Sequence, residues 1–422
     1  MGKSKRESKK KRPQRKQKHS DNCFSQVKDN VSSPDNDVAH IHRLPSEMLC
    51  SIFSHLSVED KKTAALVCKK WNVVLRIPSL WENMSMRISM ASASCFREIT
   101  AAMKERGIKQ FSIGLPIIHK IKHNSRKEVF LRLTPQFTRQ FIELTNYTCH
   151  FLQSLDMRSF ILDVESLPDN FKHMNPMPHL KELLLSKFPV DEHFLKLFPN
   201  LEKIVDEGSL TNDVLVKVGM YLPKLQELQL LCRYTMADNG NKCAETILHY
   251  MPQLKKITFD DSNIGDADVE LLAQLSFLEE LSLSHNPYVT ALSVHCLAQG
   301  QCRKQLKSLH FFRCYNVKAD TAIHNIGQLQ LTDFTIGSHY GREIRDSGIH
   351  TLLASCGTQL RKLRITGGTY ITTAGIKMIV EQCTSLKQLH LFKEQPLFWF
   401  TKDNVDLLQS MSSKPRIILD NE

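Results

Sequence analysis

The sequence predicts an α/β fold in which a small module of three helices precedes a curved solenoid with parallel strands on its concave face. The pattern Leu-x-x-Leu-x-Leu, with related apolar residues at the same places, begins nine times between Leu180 and Leu386, about 26 residues apart. Helical spacing follows the strands, as in residues 344–356 and 371–383. One such unit cannot bury its own apolar face, so we expect the units to stack into one continuous core.

Residues 1–39 are predicted to form a disordered basic tail. Ten lysines or arginines and one acid in the first 18 residues supply +9 of the net charge of +12, which leaves +3 for the rest of the chain. The segment has few apolar groups, so burial cannot offset the entropy of ordering it. The run from Lys9 to Pro13 indicates a nuclear-import signal or a nucleic-acid-binding arm, or else a solvated arm with no dedicated reader. We therefore expect the protein in the nucleus and the cytoplasm.

Residues 40–84 are predicted to form the three short helices. Ser57 with Asp60 is typical of an N-cap that opens a second helical segment, and Pro78 would end that segment before Leu80 and Trp81. Three helices of this size cannot bury all of their apolar groups, so part of that surface should face a partner. Two apolar stripes have helical spacing: Leu49, Ile52, Phe53 and Leu56, then Ala64, Val67, Trp71, Val74 and Leu75.

These residues closely resemble an F-box. Only the position after Asp60 departs from the family pattern, because Lys61 stands where an apolar residue is usual; we expect this to weaken one core contact. The resemblance implies that the module binds an adaptor protein, whereas the alternative is an ordinary helical cap on the following domain. The expected adaptor-binding residues are Leu44, Pro45, Leu49, Ile52, Phe53, Leu56, Val67 and Trp71, with Leu80 and Trp81 closing the module.

Residues 85–150 are predicted to contain a linker and irregular N-terminal repeats, and residues 151–422 the regular repeats with a C-terminal cap. A helix is expected around residues 96–103, strands at 108–113 and 152–157, and a basic loop at 120–126. The cap should comprise a helix around residues 405–408 and a last strand at 415–419.

The regular repeats resemble the cysteine-containing class of leucine-rich repeat. Cys356 and Cys383 each precede the next strand, and Cys314 fits the second cysteine position of that class, although Asn286 or Gly367 replaces it elsewhere. The whole chain therefore resembles the F-box/leucine-rich-repeat family. The resemblance implies a non-catalytic substrate receptor of a cullin–RING, SCF-type ubiquitin ligase, which would bind the S-phase kinase-associated adaptor, a cullin scaffold and an unidentified target protein.

No residue grouping in the sequence predicts catalysis. Phosphate-binding glycine loops, nucleophile elbows and metalloprotease motifs are missing, and the twelve cysteines include no Cys-x-x-Cys pair. We expect these cysteines to be small buried hydrophobic groups. No apolar run approaches the roughly 18 residues that span a bilayer, and the basic N-terminus does not resemble a secretory signal. We therefore expect neither enzyme activity nor a cofactor, a metal or a membrane.

The concave face is the second expected binding surface. Its middle is predicted to be acidic, with Glu227, Asp260 and Glu280, and its C-terminal end basic and aromatic. We expect an acidic or phosphorylated target segment to bind at that end. An alternative function is a nuclear scaffold that binds chromatin or nucleic acid through residues 1–18, although acids argue against nucleic acid on the concave face. The candidate substrate-binding residues are Phe312, Lys362, Arg364, His390, Phe392 and Trp399.

Overall fold

The computed structural model describes residues 41–114, 135–158, 172–231, 240–338, 344–367, 371–392 and 416–420, apart from gaps at 42–43, 82–83, 90–95, 187, 189, 315, 318 and 327–328. Three helices open the described part of the chain, and a single parallel sheet with its connecting helices follows. The predicted fold class is confirmed. The basic tail, the loop at 120–126, the helix at 405–408 and Trp399 lie outside the described residues.

The N-terminal module comprises α1 (Ser46–Ser54), α2 (Val58–Ala65), α3 (Lys69–Val74) and a 3₁₀ turn at Pro78–Leu80. Ser57 caps α2 as expected, since its Oγ accepts a hydrogen bond from the Asp60 N–H at 3.2 Å. The predicted second helix is interrupted between α2 and α3. There the Leu66 and Val67 N–H groups bond three residues back instead of four, and Cys68 is extended. As a result Ala64 is buried whereas Val67 points to solvent.

Parallel strands form one continuous sheet in the described part of the chain. Each described strand pairs with the strands before and after it in sequence, so neighbouring repeats lie side by side in chain order. β1 was not predicted, whereas the last strand was. The thirteen strands are β1 (Ser85–Ser89), β2 (Gln110–Gly114), β3 (Ser154–Asp156), β4 (Glu182–Leu185), β5 (Lys203–Asp206), β6 (Glu227–Leu231), β7 (Lys256–Asp260), β8 (Glu280–Ser284), β9 (Ser308–Phe312), β10 (Asp333–Ser338), β11 (Lys362–Gly367), β12 (Gln388–Phe392) and β13 (Arg416–Asp420).

The connecting helices cover the other side of the sheet and pack against one another in chain order. A single apolar core runs between the two layers, from Leu49 in α1 to Leu391 in β12. Among the described residues, none of the helices combines the length and the apolar character that a membrane span requires. These helices are α4 (Phe96–Glu105), α5 (Pro135–Thr148), α6 (Glu192–Lys196), α7 (Asn212–Tyr221), α8 (Gly240–Tyr250), α9 (Asp266–Leu272), α10 (Ala291–Gln299), α11 (Ala319–Ile326), α12 (Asp346–Cys356) and α13 (Thr373–Gln382), with a 3₁₀ turn at Gln301–Lys304.

Alternation along each strand decides which side chains line the concave face. In β6, β7, β8 and β9 the second and fourth residues are buried, and the others are partly or fully accessible on the concave side. The strands are in register, so accessible residues from successive repeats form rows across the sheet. One row contains Glu280, Ser308, Asp333 and Lys362, and the next row contains His310 and Arg364.

Buried polar groups tie the repeats together where the strands end. The Asn286 side chain donates to the carbonyls of Phe259 and Ser284, and its oxygen accepts from the backbone N–H of Ile264. Cys314 comes at the corresponding place in the next repeat, and its thiol donates to the Leu283 carbonyl at 3.3 Å. A buried backbone carbonyl without a hydrogen-bond donor lowers the stability of the fold. Asn286 and Cys314 both supply such a donor, so either residue type satisfies this position.

Candidate functional site

The predicted adaptor-binding residues divide into core and surface. Leu49, Phe53, Leu80 and Trp81 are buried; Leu44, Leu56 and Trp71 are partly buried; Pro45, Ile52 and Val67 are exposed. The Trp71 ring packs edge-on against Phe53, with centroids 5.1 Å apart, and the Trp81 indole N–H donates to the Leu75 carbonyl at 2.6 Å. The aromatic groups therefore hold the three helices together, and only part of the predicted set reaches solvent.

The module concentrates exposed apolar groups. The described part of the chain has eleven large hydrophobic side chains that are exposed. Six of them lie in this module, within a stretch of 30 residues. Four of the six were not among the predicted residues: helical spacing identifies a stripe but does not show which members face inward. The six are Met48, Ile52, Leu66, Val67, Val73 and Ile77.

Lys61 is buried although it is a lysine. Only 1% of the residue is accessible, and its Nζ donates to the Leu80 carbonyl at 2.9 Å and contacts the Met84 sulfur at 3.3 Å. The ammonium also lies 5.8 Å from the Trp81 ring centroid. Removal from water lowers the pKa of Lys61, because burial disfavours the charged form. The expected weakening of a core contact is therefore offset by a hydrogen bond that joins α2 to the 3₁₀ turn.

Ion pairs cross the concave face from strand to strand. The Lys203 ammonium lies 3.0 Å from Glu182 and 3.1 Å from Glu227, and Lys256 lies 3.3 Å from Glu280. Burial opposes the charge of Lys203, but its bonds to the two glutamates outweigh this and raise its pKa. The expected acidic middle is consequently an alternating ladder, because acids and lysines take turns along one row of the sheet.

A pocket of about 210 Å³ lies on the concave face at strands β9 to β12. Arg364 donates through Nε to Nδ1 of His390 at 2.7 Å, and His310 Nδ1 lies 2.8 Å from the Thr335 hydroxyl. Burial lowers the pKa of His310, so its neutral form is favoured. Three predicted substrate-binding residues thus meet here, and His310 and Thr335 join them. The lining residues are His310, Phe334, Thr335, Lys362, Leu363, Arg364, Gln388 and His390.

Phe312 belongs to a different cluster. Its ring lies edge-on to His285, with centroids 5.8 Å apart, and the Arg313 guanidinium lies 5.2 Å from its centroid. His285 Nδ1 is in turn 2.7 Å from Asp260 Oδ1. Strand register places Phe312 beside Gly337, one row from His310 and Arg364, and Phe312 does not line the pocket. Phe392 ends β12, while its side chain, like Trp399, lies outside the described residues.

Six of the nine described cysteines are buried, as expected of small hydrophobic groups, whereas Cys50, Cys68 and Cys296 are partly accessible. Burial raises the pKa of Cys302, Cys314 and Cys356 to about 12 and that of Cys383 to about 11, so their nucleophilic thiolate forms are strongly disfavoured near neutral pH. Within the described ranges, no cluster of three or more histidine, cysteine, aspartate or glutamate residues could hold a metal ion.

Comparison with known proteins gives the N-terminal module a name. The F-box-like family model matches residues 41–87, which cover the three helices and the start of the sheet. This match identifies residues 41–87 as F-box-like. Two curated F-box/LRR-repeat proteins are similar to part of the chain. F-box/LRR-repeat protein 21 of Bos taurus is 29% identical over 75 residues, and that of Mus musculus is 28% identical over 75 residues.

These relatives match the chain over a short stretch. The alignments cover 18% of its chain and 17% of each relative. Among solved structures, a chain of the yeast Rad7 and Elc1 complex aligns with a TM-score of 0.46 and 16% identity, over 87% of this chain and 96% of that one. An internalin from Listeria monocytogenes aligns with a TM-score of 0.41 and 16% identity, over 66% of this chain and 83% of that one.

Proposed function

We propose that this protein is the substrate-receptor subunit of an SCF-type cullin–RING ubiquitin ligase. The F-box module would bind the S-phase kinase-associated adaptor and, through it, the cullin scaffold, while the concave face holds a target protein. The receptor would itself be non-catalytic. It would act by raising the effective concentration of target lysines near a charged ubiquitin-conjugating enzyme.

The observation that carries this proposal is the concentration of exposed apolar groups on the F-box module. Six large apolar side chains lie in solvent there, although each would be more stable when removed from water. Clusters of this kind mark protein-binding sites. Because Phe53, Trp71 and Trp81 fill the core beneath them, the exposed groups are available to a partner without unfolding of the module.

Adaptor capture by tagged full-length protein tests the proposal. We expect Ile52→Asp and Leu66→Asp each to reduce recovery of adaptor and cullin at least tenfold, because an apolar anchor at a protein interface contributes about 2 kcal/mol or more. Leu66 is 86% exposed, so its substitution should change stability by about half a kcal/mol or less. Leu292→Asp is the matched control, since Leu292 is an exposed leucine on helix α10 of the repeats. Undiminished cullin recovery by both folded F-box variants would contradict the proposal.

The basic tail supports a further part of the proposal, namely that the protein is present in nucleus and cytoplasm. Its charge density in residues 1–18 is that of an import signal. Nucleic-acid binding through the same residues is the other outcome that a tail deletion would reveal.

A further inference from the structure

Within the described part of strands β4 to β12, the lysines and arginines of the concave face contact carboxylates except at one place. Lys203 and Lys256 each contact a glutamate of a neighbouring strand, and Lys362 lies 3.6 Å from Asp333. Arg364 is different: within the described part of strands β4 to β12, it is a cation that contacts no carboxylate. Its charge is therefore not neutralised by the surface that carries it.

The hydrogen bond of Arg364 leaves most of its donors available. Nε donates to Nδ1 of His390, which must carry no proton in order to accept. A neutral histidine orients the guanidinium without cancelling its charge, and the terminal nitrogens remain for a ligand. A guanidinium fork matches a carboxylate or a phosphate through two parallel bonds.

The pocket around Arg364 supplies the other parts of an anion site. Lys362 and Gln388 line it two residues before Arg364 and His390 in the same strands. The paired His310 and Thr335 lie in the same row as Arg364, on the two preceding strands. Buried Phe334 and Leu363 contribute apolar surface, which lowers the local dielectric and strengthens the field of the guanidinium. A volume of about 210 Å³ is below the usual 300–1,000 Å³ of pockets for drug-sized ligands, so it suits one side chain.

Resting on the proposed function, we infer that this pocket binds an anionic side chain of the target protein, a carboxylate or a phosphorylated residue, with Arg364 as the principal contact. The paired ladder on strands β4 to β8 presents no comparable free cation within the described residues. An anionic group on the target would thus be fixed at β11 and β12, which sets how the rest of the target lies along the concave face.

Binding of peptide libraries to the immobilised full-length protein tests the inference. Three nine-residue libraries are randomised except at the centre, which is phosphoserine, glutamate or serine. We expect wild type to retain an anionic library over the serine library, and Arg364→Gln to reduce that retention about tenfold or more, because hydrogen bonds to charged groups are the strong ones. Arg364→Lys should keep part of the retention, since it keeps the charge but not the fork.

Lys256→Gln is the matched control, because it removes one positive charge from the same face outside the pocket. The basic tail is present in every variant, so its contribution cancels in the comparison. Retention of the phosphoserine library alone would identify a phosphorylated residue as the ligand, whereas retention of the glutamate library as well would show that a carboxylate is sufficient. Equal losses in Arg364→Gln and Lys256→Gln would overturn the inference, as would equal retention of all three libraries by wild type. Adaptor capture is measured on the same variants: if it stays intact while the pocket result is negative, the inference fails and the receptor proposal stands.

Discussion

Substitution of Lys61 separates two contributions of one buried side chain. Lys61→Ala removes roughly three buried methylene groups, about 2.5 kcal/mol at 0.8 kcal/mol each. It also leaves the Leu80 carbonyl without the ammonium that donates to it at 2.9 Å, for a further loss of about 1–3 kcal/mol. The expected destabilisation is therefore about 3.5–5.5 kcal/mol. Lys61→Met leaves the same carbonyl without a donor but retains the apolar stem, so we expect a loss of only about 1–3 kcal/mol.

Urea unfolding followed by tryptophan fluorescence measures these changes where they occur. Two of the three tryptophans of the chain, Trp71 and Trp81, lie in the same module as Lys61. Equal losses of stability in the alanine and methionine variants would refute the reasoning, because the two differ mainly in the apolar stem. So would an alanine variant as stable as wild type, since that would place the lysine side chain in solvent.

The pH dependence of the same comparison has a definite sign. Burial lowers the pKa of Lys61 below its ordinary value of 10.5. Between the two pKa values the unfolded chain holds a proton that the folded chain does not, so raising the pH favours the folded state. We expect the stability of wild type relative to Lys61→Met to increase as the pH rises through the lowered pKa of the folded state towards 10.5, and to level off above 10.5. A constant difference would show that the amine is not desolvated.

The remaining predictions concern the F-box module and the basic tail. Leu44→Ala with Pro45→Ala should abolish co-purification with adaptor and cullin and leave the repeats folded, because Leu44 is only partly buried and Pro45 is exposed; circular dichroism serves as the folding control, and unchanged cullin recovery would exclude a functional F-box. Deletion of residues 1–18, which removes +9, should shift the protein from nucleus to cytoplasm in fractionated cells and flatten the salt dependence of any nucleic-acid binding; an unchanged distribution and slope would mean that the tail is only a solvated arm.

Periodicity predicted the repeats because few residue types fit the buried positions of each strand. Leu228, Leu281 and Leu309 are fully buried at the places that the repeat pattern assigns them. β1 was missed because Ser85–Ser89 has the sequence Ser-Met-Arg-Ile-Ser, which lacks the leucine pattern. Its strand character depends on pairing with β2.

The sequence did not predict most of the contacts between residues that are distant along the chain. Lys61 was identified as a departure from the family pattern, yet the Leu80 carbonyl that accepts its hydrogen bond is 19 residues away and is brought close only by tertiary structure. The position of Phe312 was likewise undetermined, since membership of a row depends on strand register. Arg364 and His390 were placed together correctly because equivalent positions of adjacent repeats become neighbours in a solenoid.

Under the proposed function, the alternating ladder would disfavour wrong positions of a target on the concave face as well as permit a right one. An anionic target group placed against strands β4 to β8 would meet Glu182, Glu227 or Glu280, whose nearest cations are already paired. Displacing such a lysine from its glutamate leaves the carboxylate facing the incoming anion, and like charges at close range are unfavourable. At β11 the same group would meet the Arg364 guanidinium, which contacts no carboxylate among the described residues. Specificity then rests on a difference between positions on one surface, which a uniformly basic face could not provide.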